Sequence, residues 1–443
     1  MSTYDVIVIG AGVIGASVAY HLARLGARRV LVLDRTQIGA GTTSQSSGIL
    51  RTHYSVRENV ALAQDSWGVF ADFANYLGDE DAASGLVKCG YLICAPDGPK
   101  LQPLTLALEG QRQQGIEVQL LDRQQAEALL PIADLHDAAL IGFEPEAGFA
   151  DAYLVATSFA RSARRGGVKI MEGVEVQKLL IEDGRVIGVD TDQGRFLAGT
   201  VISTQNIWAT QIEQWTGITS PVQAERHTVL ALEGPKPYSY AMPVFKDLGS
   251  EGMLYCRSYG GTQMLVSEGV AGEVLPSPDN EQGDVSLDLI ASIGAQAAER
   301  FPSFETAGLA SSWTGVYDVT PDWNPVLGRL PGISGLVVGY GFSGHGFKLS
   351  PAVGRVLAQE ALGLTPDISL APYALERFAA GRPLIGRVAR LEAVSDSVTE
   401  ERVALVSFEQ PPAGLSVGDL RQPLLCSGLG RLAPAAYRSS ANG

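Results

Sequence analysis

The chain is poor in cysteine, in positive charge and in long hydrophobic runs. Its four cysteines (Cys89, Cys94, Cys256, Cys426) include no pair at metal-ligand spacing and no disulfide framework in 443 residues. Neither a metal centre nor a disulfide-stapled module is expected, and a reducing cytoplasmic setting is. Lysine plus arginine number 33 against 48 aspartates plus glutamates, a net charge of −15. Nucleic acid and anionic membrane select basic patches, so neither is expected as a partner. No stretch approaches the roughly 18 apolar residues of a membrane span. The apolar run near the N-terminus has Asp5 just ahead of it, lacks a basic flank and is interrupted by three glycines, so it reads as a core strand and not as a signal peptide.

What is present is the composition of an ordinary α/β protein, 46% hydrophobic with 51 glycines and 23 prolines, at a length that suggests two or three domains. The stretch from Tyr4 to Asp34 organises it. A β-branched run, Val6-Ile7-Val8-Ile9, breaks at Gly10-Ala11-Gly12-Val13-Ile14-Gly15. Apolar residues then recur at helical spacing (Ile14, Val18, Leu22, Leu25), Gly26 stops the helix, and Val30-Leu31-Val32-Leu33 runs into Asp34 and Arg35. Each part has a task in dinucleotide binding. Gly10 makes the tight turn, Gly12 admits a pyrophosphate, Gly15 lets helix and strand pack closely, and the helix N-terminus attracts phosphate charge. Asp34 is placed to accept hydrogen bonds from a ribose diol. A glycine triplet alone also fits a plain strand-to-helix turn; both strands, the helix and the acid together favour dinucleotide binding.

A polar loop of small residues follows, Gly39 to Gly48, with Thr42, Thr43, Ser46, Ser47 and Gly48 on the path from the ribose edge to the rest of a cofactor. Further on come a helix over about 57–76, a strand at 90–94, helices ending near Gly115 and Leu130, and an amphipathic helix closed by Arg165-Gly166-Gly167. An antiparallel meander over 174–198, signalled by Asp183-Gly184, carries Val176, which joins the cofactor set. Residues 221–275 are strand-rich. Beyond Gly381 no period is legible, and an extension of unknown role is expected over 381–443. There is no internal repeat.

A second glycine turn runs Gly339-Tyr340-Gly341-Phe342-Ser343-Gly344-His345-Gly346-Phe347-Lys348 into a helix. Its backbone N–H groups and the helix dipole suit a group that becomes negative, such as the pyrimidine ring of a flavin. The alternative is a tight connection with no ligand. Lys348 falls in the first helical turn, where the dipole disfavours a cation, which points to an anion contact.

On these motifs, with Ser47 to Tyr54 and Tyr317 to Asp322, the chain resembles the FAD-dependent amine and amino-acid oxidoreductases of the D-amino-acid oxidase superfamily, sarcosine oxidase branch, over residues 4–380. The resemblance implies an α/β fold in which a Rossmann-like FAD-binding domain of the GR2 type (1–85, 145–215, 310–380) carries an inserted substrate domain on a large mixed β-sheet (86–144, 216–309). It implies that Gly10, Gly12, Val13, Ile14, Gly15, Asp34, Arg35, Thr42, Thr43, Ser46, Ser47, Gly48, Val176, Gly341, Gly344, His345, Gly346, Phe347 and Lys348 hold FAD. It also implies that Arg51 and Lys348 grip a substrate carboxylate, with His53, Tyr54 and Tyr255 as polar lining. Three positions depart from the family pattern. Gly315 replaces a cysteine that anchors flavin covalently, so FAD is expected to bind non-covalently, with His53 as the alternative link. The oxygen-activating lysine falls near Gln263 or Met264. An Ala-Gly-Ala-Trp-like segment survives only as Gln205-Asn206-Ile207-Trp208.

The implied reaction is oxidation of an amino acid's C–N bond at a secondary or N-methyl amine: hydride to flavin, then imine hydrolysis. Oxygen or another acceptor takes the electrons. The alternatives are a D-amino-acid or proline-type dehydrogenase, and a flavin-binding subunit of a larger complex; oligomerisation is left open.

Overall fold

Val6–Ile9 is fully buried because it is the middle of a sheet. In this computed structural model, which describes residues 2–235, 242–281 and 285–385, the six-stranded sheet has the order Lys169–Glu172, Val30–Asp34, Val6–Ile9, Val201–Ser203, Leu336–Tyr340, Val326–Arg329. The first five run parallel and the last is antiparallel. A parallel sheet covered on both faces reads as continuous β-branched runs, which is why these segments lack alternation.

The helix Val13–Arg24 packs on this sheet between the helices Ala152–Arg165 and Gly346–Ala361. The last crossing is close: a Cβ on Gly354 would lie 2.1 Å from Ser17 Oγ. Asp151 caps the helix Ala152–Arg165 by accepting from the Leu154 N–H at 2.9 Å, a contact worth about 1 kcal/mol. The meander is a four-stranded sheet in which Val176–Glu182, Arg185–Thr191 and Gly194–Ala198 pair antiparallel and Ser2–Tyr4 adds in parallel.

The large sheet is mixed. It runs Glu273–Leu275, Gln223–Glu233, Gln263–Ser267, Tyr255–Ser258, Val244–Asp247, Tyr91–Pro96, Ala138–Glu144, Gln119–Leu120, and a ninth strand, Gly308–Val319, pairs with Gln223–Glu233. The boundary expected at 309/310 falls inside that ninth strand. Gly308 to Val319 belongs to the large sheet by its hydrogen bonding, and the chain crosses to the parallel sheet only after the turn at Thr320 to Asn324. Of the expected extension, residues 386–443 lie outside the described residues, and Cys426 with them. No helix among the described residues is long and apolar enough to cross a membrane.

Candidate active site

The first glycine turn is built as its sequence requires. Gly10 has φ +98°, a left-handed conformation, and a Cβ on Gly15 would stand 1.9 Å from the Gly10 carbonyl oxygen. Thr43 Oγ1 accepts from the Val13 N–H at 3.0 Å, tying the polar loop to the start of the helix. Asp34 is engaged within the turn: Oδ2 accepts from the Ala11 N–H at 2.7 Å, Oδ1 from the N–H and hydroxyl of Thr36 at 2.8 and 2.9 Å.

Three cavities follow one another from this turn. The first, about 890 Å³, is bordered by Gly10, Asp34, Arg35, Thr42 and Val176, and by Trp208, on which the Arg35 guanidinium stacks at 4.1 Å. It shares Gly12, Thr42, Thr43, Thr204 and Asn206 with a second, of about 970 Å³, which continues past Val13, Ile14, Ser46 and Ser47 to Gly344, Gly346, Phe347 and Lys348. The third, about 800 Å³, shares Ser47, Tyr255, Tyr317 and Lys348 with the second and adds Arg51, Tyr91, Lys246, Trp323 and His345. The first two form a trough and the third a chamber at its far end, against the large sheet.

An extended dinucleotide fits the trough. Gly12 has an ordinary φ, and its absent Cβ leaves the helix N-terminus open to the cavity, with only Thr43 Oγ1 nearby at 3.2 Å. Gly15, Gly48, Gly341 and His53 border none of the three cavities. Gly15 serves packing. Gly48, at φ +72°, lies against the Ala150 carbonyl, where a Cβ would come to 2.1 Å.

The second glycine turn is divided in use. The Gly341 N–H donates to the buried carboxylate of Asp318 at 2.5 Å, the N–H groups of Phe342 and Ser343 are near enough to favour its charged form, and the Ser343 N–H bonds the Asp318 carbonyl at 3.3 Å. Burial pushes Asp318 up to about 7 despite them. Donor and acceptor matching places the Asn206 amide nitrogen 2.5 and 3.0 Å from the two Asp318 oxygens, with its oxygen accepting from Thr42. Only the later part, from Gly344 to Lys348, faces the trough.

Lys348 is the third residue of the helix Gly346–Ala361 and is buried. Burial, and then the charge of Arg51, holds its ammonium well below the usual lysine range. Arg51 donates to the His53 carbonyl and lies over the Tyr54 ring, 4.6 Å from its centre. Among the described residues neither cation pairs with a carboxylate. The segment after Arg51 is tied down. Glu144 accepts from the Thr52 N–H at 2.7 Å and hydroxyl at 2.5 Å and from His53 Nδ1, and the His53 ring meets Tyr91 edge-on at 4.8 Å. Burial and Arg51 lower the His53 pKa. His53 therefore braces the segment that holds Arg51.

Between trough and chamber stand Tyr255 and Tyr317. Tyr317 packs on Gly344, where a Cβ would come within 2.4 Å of the ring, and stacks on His227 at 3.9 Å. Burial lowers His227 to about 4, so its imidazole is neutral at pH 7. Gln263 and Met264, which stand where the resemblance puts the oxygen-activating lysine, do not border the chamber, and Met264 is core. Lys246 does border it and was missed. Its signal was a lone cation in the otherwise apolar start of a strand, Val244-Phe245-Lys246.

A parallel sheet with a glycine turn at one end of an extended trough, and a mixed sheet walling a chamber that holds buried cations, define a two-part dinucleotide-dependent oxidoreductase. The chain belongs to the family of FAD dependent oxidoreductases designated DAO, which it matches over residues 5–360; FAD is the cofactor of this family. It is 27% identical over 384 residues to 4-methylaminobutanoate oxidase (formaldehyde-forming) of Paenarthrobacter nicotinovorans, covering 84% of this chain but 45% of that protein, so the chain spans less than half of that relative. It is 30% identical to FAD-dependent oxidoreductase domain-containing protein 1 of Bos taurus over 84% of each chain. L-proline dehydrogenase from P. horikoshii has the same fold, with a TM-score of 0.78 at 24% identity over 86% of this chain and 99% of that one. The expected α/β architecture, FAD-binding domain plus large mixed sheet, is the observed one.

Proposed function

We propose that the chain oxidises the C–N bond of a carboxylate-bearing secondary or N-methyl amine, with FAD held non-covalently in the trough. The observation that carries this reading is the pair Arg51 and Lys348, two cations that form no ion pair with an acid among the described residues and border one chamber where it meets the trough. Such a pair binds and orients a carboxylate.

Bound FAD supplies the hydride acceptor: two electrons and one proton leave the carbon next to nitrogen, and the nitrogen lone pair closes the C=N bond. Water then adds to the imine and releases a carbonyl compound and the shortened amine; oxygen or another acceptor would be the final taker of the two electrons. The protein's own groups act on the substrate. Arg51 and Lys348 hold the carboxylate, and their positive potential disfavours an ammonium beside them, so the amine binds neutral with its lone pair free. His53 and Glu144 keep Arg51 in place. Tyr255 and Tyr317 wall the boundary with the trough.

Non-covalent binding is supported by Gly315, which borders the trough, and by the free Cys89, Cys94 and Cys256, none of which does. These unpaired thiols also favour a reducing cytoplasmic compartment.

The test is anaerobic mixing of the yellow protein with sarcosine, dimethylglycine, L-proline and D-alanine, followed by air. Bleaching by an N-methyl or cyclic amino acid supports the reading, and quick recovery in air makes oxygen the acceptor. Bleaching that persists in air favours the dehydrogenase form, in keeping with Gln263 or Met264 in place of the oxygen-activating lysine that the resemblance implies. If neither these substrates nor their dicarboxylic analogues bleach the flavin, the reading is wrong.

A further inference from the structure

The chamber holds a third cation that the grip on one carboxylate does not use. Lys246 lies on the strand Val244–Asp247, between buried Phe245 and buried Asp247, and borders the same chamber as Arg51 and Lys348. One of its N–H groups bonds the Met253 carbonyl at 2.5 Å, and the ammonium lies 5.4 Å from the Tyr255 ring centre. An ammonium has three donors, so two are left.

The nearby acids are committed elsewhere. Asp247 accepts from Arg300 Nε at 2.9 Å and from the Gly249 N–H at 2.8 Å. Glu268, on the chamber wall, accepts from the Gln296 amide at 2.9 Å, and no carboxylate among the described residues forms an ion pair with Lys246. Arg51 is near enough that its charge, after burial, disfavours the Lys246 ammonium. Three cations bordering one chamber repel one another, and an acid ligand relieves them. One carboxylate on Arg51 and Lys348 leaves the third unmatched.

We propose that Lys246 binds a second carboxylate of the substrate, so that the chamber selects secondary amino diacids over their monoacid counterparts. The proposal rests on the reading of the site as an amine oxidoreductase.

Matched probes test it on the holoprotein: iminodiacetate against sarcosine, and N-methyl-L-aspartate against N-methyl-L-alanine, by anaerobic flavin reduction. Glutarate against butyrate, titrated by flavin absorbance, measures binding without turnover. The diacid of each pair is expected to be favoured about tenfold or more, the effect of one added charge-assisted contact. Lys246→Met should bring the ratio to within about twofold, and Lys246→Arg should keep most of it. Gly269→Ala gives a second approach, because a Cβ there would stand 1.8 Å from Lys246 Nζ and displace the ammonium; it too should reduce the ratio. A glutarate-to-butyrate preference below about twofold in the parent overturns the proposal whatever the variants do, and so does a ratio that survives both Lys246→Met and Gly269→Ala. If the monoacids bleach the flavin and the diacids do not, the proposed reaction stands and this inference falls. If no amine bleaches it, the reaction is wrong, while the glutarate titration still decides what Lys246 binds.

Discussion

Arg377 forks onto Asp322: its Nε lies 2.8 Å from Oδ2 and its Nη2 2.9 Å from Oδ1, with side chains 4% and 2% exposed. The pair joins the turn after Gly308–Val319 to the helix Glu376–Ala379, and the Leu384 N–H adds a bond to Oδ2 at 2.9 Å. In that turn Trp323 stands at φ +58° on the chamber wall, so the staple holds a strained backbone at the chamber.

Breaking this pair from one side leaves a buried charge uncompensated. Arg377→Ala and Asp322→Ala are each expected to cost about 3–5 kcal/mol, read by urea unfolding. The double variant Arg377→Ala with Asp322→Ala should lose less than the sum of the two single changes, because no unpaired charge remains. Additive losses would contradict the pairing.

Arg51 and Lys348 should behave as ligands for an acid. Arg51→Met and Lys348→Met are each expected to weaken butyrate binding roughly 10- to 100-fold, the loss of one charge-assisted contact. Lys348→Met should not lower the melting temperature, since the ammonium it removes is buried without a counter-charge. A variant that melts earlier but binds butyrate as before would make Lys348 structural.

The second and third glycines of the first motif should separate folding from flavin binding. Gly15→Ala drives a methyl into the Gly10 carbonyl at 1.9 Å, so soluble yield and melting temperature should both fall. Gly12→Ala meets only Thr43 Oγ1, at 3.2 Å, and points its methyl at the trough. The apoprotein should fold and bind little flavin, measured by absorbance after denaturation. Full flavin content in Gly12→Ala would place the pyrophosphate elsewhere.

Asp318 gives a pH signature. Burial raises its folded pKa to about 7 from an ordinary 3.8. The folded state thus holds a proton that the unfolded state releases. The stability tied to that proton is fully present below about pH 4 and is lost as pH rises through about 7. Asp318→Asn cannot titrate. Unfolding of flavin-free protein at pH 5 and pH 8 should show the parent losing a few kcal/mol more than the variant across that window; equal losses would mean the carboxylate is already ionised at pH 5.

The sequence alone determined the local unit from Val6 to Asp34 and the meander over 174–198, and its motifs implied the FAD dependence and the candidates Arg51 and Lys348 through a family resemblance. Strand period, helix period and the left-handed conformation at Gly10 are all decided within about thirty residues by backbone sterics and by which face of a segment is apolar. What lay beyond it depends on which faces meet. The parallel order sets Val201–Ser203 beside Val6–Ile9 and so brings Asn206 to the first motif. Gly308–Val319 joins the large sheet by pairing with a strand some eighty residues earlier, which delivers Asp318 to the second glycine turn and engages the Gly341 N–H there. Lys246 reaches the chamber only because Val244–Asp247 pairs with Tyr91–Pro96 and Tyr255–Ser258. Side-chain period states which way a residue points from its own strand. Only strand order and sheet packing decide what it points at, because those contacts are made between segments whose separation along the chain leaves no local trace.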